Sequence, residues 1–150
     1  LWTDYDDENP FVMMNARKGM TDFRLIKYDG DMLTPEFVLD EFLDELNYLT
    51  VALTDADERV EKSVVITHHA PSYQSVSSEF KNDSLNGCFV SDLEEFIFSF
   101  SNLTHWIHGH VHSNHNYTVG DTNVLCNSYG YSALENTEFK IDSHFEIEAY

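Results

Sequence analysis

Between residues 37 and 53 the apolar positions Phe37, Val38, Phe42, Leu46, Leu49 and Leu53 recur mostly three or four apart, with Asp40, Asp44 and Glu45 between them and Asp55 beyond. Such spacing gathers apolar side chains into one stripe of an α-helix. Thr34-Pro35-Glu36 supplies the start: a hydroxyl to cap free N–H groups, a proline that needs no N–H in the first turn, and a carboxylate at the positive end of the dipole. The pattern predicts an amphipathic helix of about 20 residues laid on a sheet. Ser63-Val64-Val65-Ile66-Thr67 is β-branched on both faces, with Pro71 just after it, and reads as a central strand buried on two sides. His105-Trp106-Ile107-His108, Tyr117-Thr118-Val119, Asn123-Val124-Leu125-Cys126 and Phe145-Glu146-Ile147-Glu148 read as four more strands, the second and third of these joined by the turn Gly120-Asp121-Thr122. Leu1 to Tyr5 and Phe23 to Tyr28 have the alternation of short strands, the first running into the acidic loop Asp6 to Pro10 and the second ending at Asp29-Gly30-Asp31. Ser91-Asp92-Leu93-Glu94 has the form of a capping box, opening a helix through Phe96, Ile97 and Phe100. Ser72 to Gly87, rich in Ser and Asn without a period, is a long loop of the kind that shapes access to a site. The order of elements predicts one α/β domain over residues 1–150 whose last part is a mixed or antiparallel sheet.

Charge narrows the functional classes. The 150 residues carry 8 Lys+Arg against 27 Asp+Glu, a net charge of −19, while 42% hydrophobic residues provide ample core material. Phosphate-backbone binding draws on Lys and Arg, so a basic nucleic-acid interface is excluded. No apolar run approaches the roughly 18 residues that cross a bilayer, so a helical membrane protein is excluded as well. Cys88 and Cys126 are too few for a disulfide framework and fit a reducing compartment. The opening Leu1-Trp2-Thr3-Asp4 has neither an initiator Met nor a signal segment, which leads us to expect a portion of something longer.

Six of the eight histidines fall in two groups, His68-His69 and His105, His108, His110, His112, each just past or within an apolar strand. Neutral imidazole is a common metal ligand, and residues two apart in an extended segment project to the same side. Ligands gather at strand ends in α/β sheets, so Thr67-His68-His69-Ala70-Pro71 and Gly109-His110-Val111-His112 are candidates for one metal-binding cluster, with Gly109 easing the backbone turn.

In these residues the chain resembles the C-terminal half of the calcineurin-like metallophosphoesterases, in particular the small members met in bacteria and bacteriophages. Val65-Ile66-Thr67-His68-His69-Ala70-Pro71-Ser72 is similar to the family's fourth sequence block. Trp106-Ile107-His108-Gly109-His110-Val111-His112-Ser113 is similar to its fifth, G-H-x-H. Leu1-Trp2-Thr3-Asp4 and Cys126-Asn127-Ser128-Tyr129-Gly130-Tyr131 look like family segments too, although Ser128 and Tyr129 replace residues of the usual N-P-R-G-Y. The resemblance implies two packed β-sheets flanked by helices, two divalent metal ions (Mn, Fe, Zn or Co) at the strand ends, and hydrolysis of a phosphate monoester or diester. It implies that His68 and His110 bind one metal and His112 the other, while His69 and Asn127 stand beside the ligands or face the substrate. The family's D-x-H, G-D-x-x-D and G-N-H strings do not occur here. The chain is accordingly expected to be the C-terminal portion of such a domain, completed by an N-terminal half or a second polypeptide, or a decayed relative. The bacterial or phage-infected cytoplasm is the compartment implied. Two other readings compete: a non-catalytic module holding a single ion, and an acidic interaction protein that mimics nucleic-acid charge.

Overall fold

The structure is a computed structural model and describes residues 1–132, 135, 136 and 138–147. Helix α1 (Pro10–Gly19) begins where the sequence suggested the end of a loop: the Asn9 side chain accepts the Phe11 N–H at 3.0 Å and Pro10 fits the first turn. A one-turn helix, Asp22–Leu25, buries Phe23, so Phe23 to Tyr28 is not a continuous strand. Only its end pairs, as β1 (Lys27–Tyr28) with β2 (Asp31–Met32). Between them Asp29 and Gly30 have φ of 51° and 93°, the doubly left-handed turn whose twist suits a tight hairpin.

The predicted amphipathic helix forms as α2 (Pro35–Arg59), with the Thr34 hydroxyl accepting the Phe37 N–H at 3.2 Å. Val38, Phe42 and Leu53 are buried, and Leu39, Leu46 and Leu49 pack against the core beside them. The second helix the sequence predicts, α3 (Glu94–Phe98), is shorter than expected. Its capping box does not form, because the Ser91 hydroxyl instead accepts the Asp4 N–H at 3.1 Å.

The main sheet contains β3 (Ser63–Ile66), β4 (Leu103–His108), β5 (Asn114–Val119) and β6 (Thr122–Asn127) in the order β3-β4-β6-β5. The first three in that order run parallel and β5 runs antiparallel to β6, so the expected α/β class and mixed sheet are both present. Val65, Trp106, Val124 and Tyr117 lie in register on one face, over which α2 and α3 place Phe42, Leu53 and Ile97. On the other face Ile66, Ile107 and Leu125 align, and Ile66 is left 73% exposed. The strand at residues 63–66 is thus an edge strand covered on one side, not a central one: its β-branched residues reflect pairing, while among the described residues helices pack on one face only. Phe145 to Ile147 form no strand; Phe145 stacks on His105 with ring centroids 4.5 Å apart, and Glu148 lies outside the described residues. No helix among the described residues is long and apolar enough to cross a membrane.

Trp106 is fully buried at the centre of this core, and Trp106→Ala is expected to cost about 3–5 kcal/mol, read as a lower urea midpoint with an unchanged slope. A second apolar cluster, built on Tyr5, Ala16, Phe23, Leu33 and Val38, joins the first through Trp2 and Leu39, which pack against both.

The first residues depart most from the expected strand. Tyr5, Asp6, Asp7 and Glu8 all have φ between 56° and 60°, closed by Glu8 N–H to Asp4 C=O (2.7 Å) and Asn9 N–H to Tyr5 C=O (3.0 Å). This is one left-handed helical turn made of L-residues. Tyr5 is buried to 1% exposure, and Gly87 lets the turn approach: a Cβ there would sit 3.1 Å from the Asp6 Cβ.

Candidate metal centre

Because β3 and β4 are parallel neighbours, the residues that follow them leave the sheet side by side. The ladder continues past both strands, with Thr67 N–H to Ile107 C=O at 2.9 Å and Gly109 N–H to His68 C=O at 3.0 Å. Thr67 fixes its segment further: its hydroxyl donates to the His69 carbonyl at 2.9 Å and accepts the Trp106 indole N–H at 2.9 Å. The left-handed residue of the second motif is His110 (φ 62°), not Gly109. A non-glycine residue in this region is uncommon, and such strain gathers at functional sites.

His68 and His110, 42 positions apart, meet with Nε2 and Nδ1 at 3.0 Å. His69 joins them, so that one ring nitrogen from each of the three lies within 4.8 Å of the others. His69 is buried to 5% exposure, its ring stacked on Trp2, and its Nδ1 lies 2.8 Å from the Leu1 carbonyl. A carbonyl only accepts, so Nδ1 carries the proton and Nε2 keeps a free lone pair, the arrangement that orients a metal-ligating imidazole. Burial, reinforced by the neighbouring His110, pushes His69 down to about 3. Burial and the neighbouring His68 push His110 to about 4. Both rings are therefore neutral at pH 7, the protonation state that binds metal.

Behind this trio the His108 ring is buried and fixed by the same logic. Its Nδ1–H donates to the Gly109 carbonyl at 3.0 Å, so Nε2 accepts from the Ser75 hydroxyl at 2.9 Å, and Tyr117 donates to Ser75 at 2.7 Å. Burial pushes His108 to about 4. This chain ties the start of the 72–90 loop to the turn carrying His110. Ser75→Ala leaves the buried His108 Nε2 without its donor and is expected to cost about 1–3 kcal/mol in urea unfolding.

Of the residues singled out from sequence, His68 and His110 come together, and His69 stands with them as a third nitrogen. His112 lies apart, its Nδ1 2.7 Å from Glu135 Oε1 and its ring edge-on to Tyr131. Asn127 is engaged by the C-terminal segment, donating to the Lys140 carbonyl at 2.7 Å and accepting the Lys140 N–H at 3.0 Å. Sequence reasoning overlooked Glu135, and it grouped His108 with the other histidines without giving it a role.

His110 and His112 border a cleft of about 370 Å³, closed on its other side by the loop segment from Ser75 to Phe89. Three imidazoles at one point suit Zn, Fe, Co or Mn, all of which accept nitrogen ligands. No protein-family model matches the chain, and neither the curated proteins nor the solved structures compared with it contain a significant match.

Proposed function

We propose that the chain provides the imidazole ligands of a metal-dependent phosphoesterase. The observation that supports this most is the convergence of His68, His69 and His110, from two separate motifs, at the C-terminal ends of adjacent parallel strands beside a cleft. A divalent ion held there supplies Lewis acidity toward a phosphoryl oxygen and an activated water. In this reading His68, His69 and His110 bind the ion, Leu1 orients His69 through its carbonyl, and Glu135 orients His112 as the ligand offered to a second ion. The sheet face turned away from α2 and α3 supports the finer expectation of a two-sheet architecture. Ile107 and Leu125, with Phe139 and Phe145, line an open cleft of about 800 Å³ there, an apolar surface of the kind a second sheet carrying the carboxylate ligands would cover.

The pairing of His112 with Glu135, away from the trio, favours one rival: a single ion held without catalysis. Elemental analysis and hydrolysis of bis(p-nitrophenyl) phosphate separate the two, measured on the chain alone and on the chain co-produced with its adjacent coding sequence. Two ions per chain and metal-dependent turnover in the completed protein are expected. One ion and no turnover would favour the rival, and no bound ion in either sample would sink both.

A further inference from the structure

The cleft beside His110 has a chemical bias that ion binding alone does not call for. Val76, Phe80, Leu85 and Phe89 line it, and the Phe89 ring lies stacked on His110 with centroids 4.8 Å apart. Phe80 is 53% exposed, its ring available to a ligand. Glu79, Asp83 and Glu135 border the same space, and among the described residues no Lys or Arg lines it.

An organic cation answers both halves of this lining. Its alkyl groups bury against valine and leucine, its charge is attracted to aromatic faces, and the carboxylates complete the complementarity. A second anionic group in the same space would instead meet three carboxylates and be repelled. Resting on the phosphoesterase reading above, we infer that the cleft receives the alcohol part of a phosphodiester, and that this alcohol is an apolar alkylammonium of the choline type. In the hydrolysis a water oxygen bonds to phosphorus, the bond from phosphorus to the alkylammonium oxygen breaks, and that oxygen leaves with a proton.

The test compares two esters of one shape. p-Nitrophenyl phosphorylcholine and its carbon isostere without the ammonium charge, p-nitrophenyl 3,3-dimethylbutyl phosphate, are titrated into the zinc-loaded protein while backbone amide shifts are followed by NMR. The choline ester is expected to bind about tenfold more tightly, with shifts at residues of the cleft, and E79Q/D83N to shrink that preference to about twofold. Equal affinity for the two esters, or a preference untouched by E79Q/D83N, would overturn the inference while leaving the phosphoesterase reading intact. Benzyltrimethylammonium is titrated in parallel. If it binds in the cleft with the same dependence on Glu79 and Asp83, while neither ester binds and no ester is hydrolysed, the cation site stands and the phosphoesterase reading falls.

Discussion

Replacing His110 by alanine is expected to weaken zinc binding at least about 100-fold, since loss of an orienting partner alone typically costs 10–100-fold and here a ligand nitrogen is removed. The variant should still fold, because His110 is only partly buried and the strands on either side are held by their own ladder. His110→Gly makes the comparison cleaner. Alanine keeps the strain of a left-handed residue at φ 62°, whereas glycine relieves it, so the glycine variant should lose the same zinc affinity and unfold at a slightly higher urea concentration than the alanine one. His112→Ala, in contrast, should leave the first ion bound, because that ring pairs with Glu135 and not with the trio. Calorimetric titration of the three variants checks the assignment. Undiminished zinc affinity in His110→Ala would remove His110 from the site.

A second large effect is acid lability of the metal-free protein. His69 and His108, held neutral by burial, titrate in the folded chain at about 3 and about 4, against an ordinary value of 6.5. Between these values and 6.5 the unfolded chain binds protons that the folded chain does not, so stability rises with pH across that window and is lost as pH falls. Each group contributes on the order of 3 kcal/mol at neutral pH, a large part of a small domain's total. Urea midpoints at pH 7, 5.5 and 4.5 should fall steeply, and His108→Gln should flatten the profile even though it lowers stability at pH 7. A midpoint constant over that range would show that these imidazoles take up protons without cost.

The parts of this fold legible in the sequence are those where local chemistry and tertiary packing agree. Thr34-Pro35-Glu36 starts a helix in any context, and the apolar stripe from Phe37 to Leu53 meets the core as drawn. The strands at residues 103–108, 114–119 and 122–127 follow from alternation and from the Gly120 turn. What escaped depends on distant partners. Ser91 fails as a cap because the Asp4 amide takes its hydroxyl, and Val64 and Ile66 promise a second buried face that no helix supplies. At the site, the meeting of His68 with His110 was legible from two motifs at neighbouring strand ends. The inclusion of His69 was not, since its orientation is set by a hydrogen bond to Leu1, 68 residues away in sequence.

That bond links the site to the left-handed turn at Tyr5 to Glu8. Each L-residue in such a turn sits roughly 1–2 kcal/mol above its right-handed alternative, so the segment is a loaded spring held down by the buried Tyr5 ring. Opening of the first ten residues needs no disruption of the sheet and should occur far more often than global unfolding. Each opening withdraws the Leu1 carbonyl and leaves His69 free to rotate. The residence time of a bound ion is then governed by local opening of the segment from Leu1 to Asn9, and the protein can release its metal while every strand of the sheet stays paired.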